Sequence, residues 1–145
     1  FLNKPQHDYN GQQVAIYHRA LRPESLLLFE GESGGVCKVS DFGLSKPVTD
    51  ESSQHSQGLT HYDYDPPEFF EGQTTPSSDQ YSLAIVYAEL RTGQIPFRGT
   101  MLEQLQSRLS DKPDLSGLPE PEQSIVRKAL HRDPANRYKN CLQFV

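Results

Sequence analysis

The chain has 145 residues, of which 34% are hydrophobic, with 11 prolines and no tryptophan. This length suits one domain with a modest core, and an aromatic content of 10% excludes a chain that is disordered throughout. The formal net charge of −5 argues against nucleic-acid binding, and no apolar run approaches the ~18 residues of a membrane span.

The two cysteines, Cys37 and Cys141, are far apart in the sequence and lack metal-ligand spacing. We expect both to be reduced, buried thiols, which is typical of an intracellular compartment. No signal peptide opens the chain, and it begins at Phe1 rather than at methionine, which indicates a fragment. The sequence therefore predicts a fragment of a cytoplasmic protein.

The first third of the chain is predicted to contain a β-hairpin. Asn10 and Gly11 first favour a tight turn with positive φ angles. Two short apolar runs then follow, Leu26–Phe29 and Val36–Val39, and the polar residues 30–35 join them as antiparallel strands. Residues 49–58 are rich in serine and glutamine and have no periodicity, which predicts an exposed loop.

Four helical segments are predicted after this loop. Ser77 to Asp79 suit a helix start and Gly93 suits its end, so a mostly buried helix is expected over Ser78–Thr92. A surface amphipathic helix is expected over residues 100–109, a third helix over 120–131 and a last one from residue 138. The apolar side of the surface helix is formed by Met101, Leu102, Leu105 and Leu109. The predicted fold is mostly α with a small antiparallel β-hairpin.

The loops that flank the hairpin carry a recognisable pattern. His18-Arg19-Ala20 precedes the first strand, and Asp41-Phe42-Gly43 follows the second. Residues 14–46 therefore resemble the catalytic hairpin of the eukaryotic-type Ser/Thr protein kinases, with its H-R-D-L-x-x-x-N and D-F-G motifs. Other residues match further segments of that family in the same order: Tyr64, Pro67-Glu68, Asp79, Gly93, Ile95-Pro96-Phe97, Asp133-Pro134 and Arg137.

The resemblance covers essentially the whole chain and implies that residues 1–145 form the large, C-terminal lobe of a protein kinase. This lobe would comprise the catalytic hairpin (14–46), the activation segment (41–68) and a helical subdomain (77–145). The Gly-rich loop, the lysine and the helix glutamate that the family carries in its N-terminal lobe are not found in this sequence. The family implies ATP and Mg²⁺ as cofactors, but the expected absence of the N-terminal lobe argues against their binding by this chain alone.

Three catalytic-loop positions depart from the family pattern. Ala20 stands where the family has the aspartate that accepts the substrate proton, and general-base positioning contributes ~10²–10⁴-fold to rate. Arg22 replaces the lysine that neutralises the transferring phosphate, and its planar fork places the charge differently. Ser25 replaces the asparagine that holds the second Mg²⁺, and a neutral hydroxyl is a weaker ligand for this hard cation. The resemblance therefore implies a degenerate catalytic loop.

The remaining motif residues have family roles beside structural alternatives. Asp41 matches the aspartate that bridges Mg²⁺ to the β- and γ-phosphates; its alternative is an exposed turn residue. Leu27 matches the floor of the adenine pocket; its alternative is ordinary core. His18 and Phe42 are expected to stack in an apolar column above Asp79, with Gly43 completing the motif.

Other matched residues imply regulation and architecture. Arg19 matches the arginine that meets a phosphate on the activation loop, and the alternative for that loop is a solvated Ser/Thr-rich segment. Glu68 and Arg137 match a buried ion pair. Asp79 is expected to cap its helix and to accept backbone N–H bonds from the His18 loop. The candidate phosphate acceptors are Thr49, Ser52, Ser53, Ser56 and Thr60.

Three functions stay open at this point. The first is a pseudokinase that acts by binding or regulating partners, which Ala20 and Ser25 together suggest. The second is a piece of an active Ser/Thr kinase that transfers the ATP γ-phosphate to protein hydroxyls. The third is a self-associating interaction fragment, since the face that an N-terminal lobe normally covers, including Leu27 and Phe42, would be exposed. A protein partner or the missing lobe is the expected binding partner.

Overall fold

The computed structural model describes residues 6–31, 34–42, 46–47 and 62–144. Gly43 and the candidate phosphate acceptors Thr49, Ser52, Ser53, Ser56 and Thr60 lie outside the described residues. Within the described residues, six short strands form three two-stranded antiparallel sheets. The strands are β1 (His7–Tyr9), β2 (Gln12–Val14), β3 (Ile16–Tyr17), β4 (Leu26–Phe29), β5 (Val36–Val39) and β6 (Lys46–Pro47). The α-helices in the described part are α1 (Ser78–Thr92), α2 (Met101–Leu109) and α3 (Glu120–Ala129).

The predicted hairpin is present, with Leu26 opposite Val39 and Phe29 opposite Val36 in the β4–β5 register. A second hairpin, β1–β2, turns at Asn10 and Gly11, whose φ angles are 53° and 80°. Positive φ at both central residues is the geometry that an Asn-Gly turn favours. The β3–β6 pair was not predicted, because two-residue strands carry too little alternation to be recognised.

Helix α1 lies at the centre of the core, as predicted. It ends at Gly93, which has a φ angle of 73° and donates its N–H to the Glu89 carbonyl. Its inward residues pack with α3 and with the connecting loops into one apolar cluster. That cluster contains Tyr81, Ala84, Ile85, Ala88, Phe97, Leu115, Leu118, Val126, Ala129, Leu130 and Phe144. Leu90, which shares the predicted helical periodicity, is instead 65% exposed.

Helix α2 has the predicted span, but its most buried side chains are polar. Thr100 and Glu103 form a capping box at its start, which satisfies free N–H groups of the first turn. Gln104 and Arg108 are buried, whereas Met101 and Leu102 are exposed. Of the other two apolar residues, Leu105 is partly buried and Leu109 is exposed, so α2 lies at the surface as predicted. Gln104 and Arg108 face inward because their side chains donate hydrogen bonds to the carboxylate and the carbonyl of Asp63, respectively.

The C-terminal region differs from the prediction at its end. Helix α3 buries Val126 and Ala129 and leaves Ile125 exposed. In place of the expected last helix, the described residues contain a single 3-10 turn, Cys141–Gln143, after which Phe144 is buried. The prediction that both thiols are buried is wrong for Cys37, which is exposed on β5, while Cys141 is partly buried.

Among the described residues, no helix has the length and apolar character needed to traverse a bilayer.

Candidate active site

The loop before β4 is fastened to the first turn of α1 by one carboxylate. Asp79 accepts the backbone N–H of His18 at 2.7 Å and that of Arg19 at 2.8 Å. The predicted contact is thus present, but Asp79 is not the helix cap, because Ser77 occupies that position and Asp79 lies inside the helix. Burial raises the pKa of Asp79, and the hydrogen bonds from these two N–H groups partly oppose the rise.

Two residues of the site hold a left-handed backbone without being glycine. Arg19 has a φ angle of 66° and Asp41 one of 62°. Such a conformation costs of order 1 kcal/mol, and the Asp79 hydrogen bond to the Arg19 N–H helps to hold it. Arg19 is buried, and its desolvation lowers the pKa of the guanidinium, while the Asp79 charge raises it. The loop is therefore held in one strained shape by contacts around it.

His18 joins this loop to the residues that follow β5. Its Nε2 lies 2.6 Å from the Ser40 carbonyl oxygen, and its Nδ1 lies 3.4 Å from the Ala20 N–H nitrogen. These partners assign the neutral tautomer with the proton on Nε2, so that Nε2 donates and Nδ1 accepts. The His18 and Phe42 ring centroids are 4.7 Å apart in an edge-to-face arrangement. The predicted stacking is present.

Ser25 is turned into the protein. The residue is fully buried, and its hydroxyl donates to the Ala20 carbonyl at 3.3 Å. Its own carbonyl accepts the Ser40 N–H at 2.8 Å. Ser25 therefore braces the backbone of this loop against Ser40, and a role as metal ligand would require its hydroxyl to change its hydrogen bond.

The solvent-facing side of the site presents few chemical groups. Ala20 is partly buried and has only a methyl side chain, while Asp41 is exposed. Arg22 lies 3.8 Å from Glu24 in a loose, partly exposed pair. Leu27 is 43% exposed, so its alternative interpretation as ordinary core is wrong. Within residues 6–31, 34–42, 46–47 and 62–144, no cluster of three or more His, Cys, Asp or Glu side chains could hold a metal ion.

The predicted ion pair between Glu68 and Arg137 is present and buried. Two parallel hydrogen bonds of 2.8 Å join the guanidinium to the carboxylate. Ser78 also donates its hydroxyl to Glu68 at 2.8 Å. The pair fixes the 3-10 turn Pro67–Glu71 to the C-terminal region across 69 residues of sequence.

Sequence reasoning missed two parts of this region. Ser40 links the two loops mainly through its backbone N–H and carbonyl. Because every residue type has these groups, the sequence could not indicate this role. Arg108 and Asp65 are buried polar residues next to the 3-10 turn. The sequence contained no signal for Arg108, because an arginine on a surface helix is ordinarily exposed to solvent.

The fold and this pair of anchored loops define a kinase-like domain, and the comparisons agree. Residues 8–143 match the protein kinase domain family, and the chain belongs to that family.

Its relatives include Ser/Thr protein kinases of bacteria and animals. The chain is 30% identical over 139 residues to a probable serine/threonine-protein kinase of Clostridium perfringens, with 90% of this chain and 20% of the relative covered. It is 33% identical over 141 residues to serine/threonine-protein kinase PrkC of Bacillus subtilis, with 91% and 21% covered. It is 34% identical over 130 residues to human ribosomal protein S6 kinase alpha-2, with 86% and 17% covered. The chain thus spans about a fifth of the length of these relatives.

Proposed function

We propose that this kinase domain is a pseudokinase C-terminal lobe, which does not transfer phosphate and acts by binding or regulating partners. The observation that carries the proposal is Ala20 in a loop whose supports are intact. Asp79 holds the backbone of His18 and Arg19, and the His18 ring reaches Ser40. The loop is shaped to present a side chain at residue 20, and the side chain there is a methyl group.

A methyl group neither orients a substrate hydroxyl nor accepts its proton. Loss of a positioned base lowers the rate of the chemical step by ~10²–10⁴-fold, which corresponds to about 3–5 kcal/mol of transition-state stabilisation. Ser25 adds to this loss because its hydroxyl already donates to the Ala20 carbonyl. The loop is better suited to hold its shape than to perform chemistry.

Phosphoryl transfer by the intact protein tests this proposal. With Mg²⁺ and labelled ATP, the native protein should label neither itself nor a general acceptor protein. Ala20→Asp should regain some phosphoryl transfer, and the double variant Ala20→Asp/Ser25→Asn should regain more. Ala20→Asn, whose side chain has the shape of aspartate but is not a base, should remain inactive. Metal-dependent transfer by the native protein that Ala20→Asn leaves unchanged would overturn the proposal in favour of an active Ser/Thr kinase.

Residual nucleotide binding is a separate part of the proposal. The family uses ATP and Mg²⁺, and the exposed carboxylate of Asp41 is the group here that suits the hard cation. We expect Mg²⁺-dependent ATP binding, followed by thermal shift, to be weak and to be lost in Asp41→Asn. Binding that persists in Asp41→Asn would remove Asp41 from this role.

A specific observation also favours a second candidate, self-association through the β4–β5 hairpin. Leu28 is 82% exposed, and further apolar side chains on the hairpin and just after it are also exposed. These are Leu27, Phe29, Val36, Val39 and Phe42. Exposed apolar surface of this kind tends to acquire a partner.

A matched pair of leucines tests this candidate. Leu28→Lys should lower the mass measured by light scattering at high protein concentration. Leu142→Lys changes an equally exposed leucine, 87% accessible, outside the hairpin and should not. A monomer at every concentration, or equal effects of the two substitutions, would count against the hairpin as the contact.

A further inference from the structure

The β1–β2 hairpin turns through two residues, Asn10 and Gly11. Their φ angles of 53° and 80°, with Tyr9 paired to Gln12, define a two-residue turn of type I′. Both residues are exposed to solvent. A Cβ atom at Gly11 would meet nothing within 4 Å, so the space beside this backbone is open. The turn therefore presents a carboxamide side chain that is followed by an unhindered peptide nitrogen.

An asparagine that precedes glycine undergoes a reaction that needs only water. The peptide nitrogen of Gly11 attacks the side-chain carbonyl carbon Cγ of Asn10, because glycine has no side chain to block the approach. A C–N bond forms, the bond from Cγ to the side-chain nitrogen breaks, and that nitrogen leaves as ammonia with the Gly11 N–H proton. Water then opens the resulting succinimide ring at either carbonyl, which yields aspartate or isoaspartate.

The closed turn opposes this ring closure in two ways. In the left-handed region, the ψ angle of Asn10 directs the Gly11 nitrogen away from the asparagine side chain, so the backbone must rotate out of the turn geometry before attack. Asp8 adds a second restraint, because its Oδ1 accepts the Gly11 N–H at 3.4 Å and that proton must leave. The negative charge of Asp8 also disfavours a nitrogen that is losing its proton.

The hairpin can open without unfolding the core. Strands β1 and β2 have three residues each and form a sheet of their own within the described residues. An isolated two-stranded hairpin is only marginally stable in water. The loop that follows is anchored separately, by the hydrogen bonds of His18 and Arg19 to Asp79. Local opening of this hairpin therefore requires much less free energy than global unfolding.

We propose that Asn10–Gly11 is a site of spontaneous succinimide formation that is controlled by opening of the β1–β2 hairpin and restrained by Asp8. The reaction converts Asn10 into a mixture of aspartate and isoaspartate. In isoaspartate the main chain runs through the former side chain and is one carbon longer. The modified turn then no longer holds the β1–β2 register.

Peptide mass spectrometry of the intact protein, incubated at neutral pH in water enriched in heavy oxygen, tests this site. Residue 10 should gain one heavy oxygen atom as ammonia is lost. The native protein should convert more slowly than the urea-unfolded protein, by on the order of 5–30-fold, as expected for a marginally stable element. Asp8→Ala should accelerate conversion of the native protein by about 2–10-fold, the effect of one lost hydrogen bond, and should have less effect in urea.

Asn140 is the matched control within the same protein, since it is also exposed but is followed by Cys141, whose side chain hinders the attacking nitrogen. It should stay unmodified while Asn10 converts. Gly11→Ala should slow conversion in urea, where the turn geometry no longer acts.

Equal rates for the native and the unfolded protein, or an Asp8→Ala rate equal to that of the native protein, would overturn control by the closed turn. Conversion of Asn140 as fast as that of Asn10 would overturn the assignment to this dipeptide. No conversion of native Asn10 after the unfolded protein has reacted completely would overturn the site itself. Amide exchange of residues 7–14 should be faster in the isoaspartate form, and unchanged exchange there would overturn the loss of register.

Discussion

Replacing Arg137 with methionine should destabilise the protein by about 3–5 kcal/mol, the usual cost of removing one partner from a buried ion pair. The structure places the effect at the upper part of this range, because Arg137 uses all five of its N–H donors. Two go to Glu68 at 2.8 Å, and the others go to His131 at 2.7 Å and to Ser77 and Arg132 at 3.2 Å. The substitution leaves a buried carboxylate and three carbonyls without these donors.

Urea unfolding followed by circular dichroism measures this loss, and tyrosine fluorescence provides a second probe because the chain has no tryptophan. A change in midpoint with an unchanged slope reports a change in stability. Arg98→Met is the matched control, since it removes the same side chain from an ion pair with Asp114 in which both partners are largely exposed. It should cost about 0.2–1 kcal/mol. The double variant Glu68→Leu/Arg137→Met should be less destabilised than the sum of the single variants, since it leaves no buried charge unpaired.

The reasoning would be refuted if Arg137→Met cost no more than Arg98→Met. That result would mean that solvent or another side chain replaces the lost donors. Arg137→Lys distinguishes charge from geometry, because lysine keeps the charge with three donors and no planar fork. We expect it to recover only part of the stability.

Three further substitutions test other parts of the fold. Asp79→Asn should lower the free energy of unfolding by about 1.5–3 kcal/mol, since it weakens hydrogen bonds to a charged acceptor. It should also speed amide exchange in the loop that contains His18 and Arg19, and unchanged exchange there would contradict the anchoring role of Asp79. Thr100→Ala should cost about 1 kcal/mol through loss of the helix cap, and Thr100→Ser should restore most of it; equal midpoints for the two variants would argue against the cap. Gly72→Ala should lower the free energy of unfolding by about 1 kcal/mol, because φ at residue 72 is 74°. The space around residue 72 is open, so the added methyl group causes backbone strain but no clash. An unchanged midpoint in urea unfolding would show that the turn relaxes.

Local sequence signals predicted the elements that depend on neighbouring residues. The helix Ser78–Thr92 begins after Ser77 and stops at Gly93 as its capping residues indicate. The β4–β5 hairpin follows from two apolar runs around a polar turn. In both cases the interactions that decide the structure lie within a few residues, so propensity and capping agree with the final fold.

The parts of the candidate site that could be predicted are those whose relative positions follow from the spacing of the sequence motifs. His18 and Asp41 lie on loops at the same end of the hairpin, and the predicted contacts of His18 with Phe42 and of Asp79 with the loop backbone are present. The direction of the Ser25 hydroxyl could not be predicted, because its acceptor is a backbone carbonyl brought near by the turn. The exposure of Leu27 depends equally on what packs against the hairpin.

The sequence by itself determined the family and the order of the elements. The tertiary structure decided which groups are buried together. It turned Gln104 and Arg108 of α2 inward toward Asp63 and exposed Cys37. These outcomes depend on contacts such as that between Arg108 and Asp63, 45 residues apart. Periodicity reports only whether a helix has an apolar side, and the surrounding chain decides which side is covered.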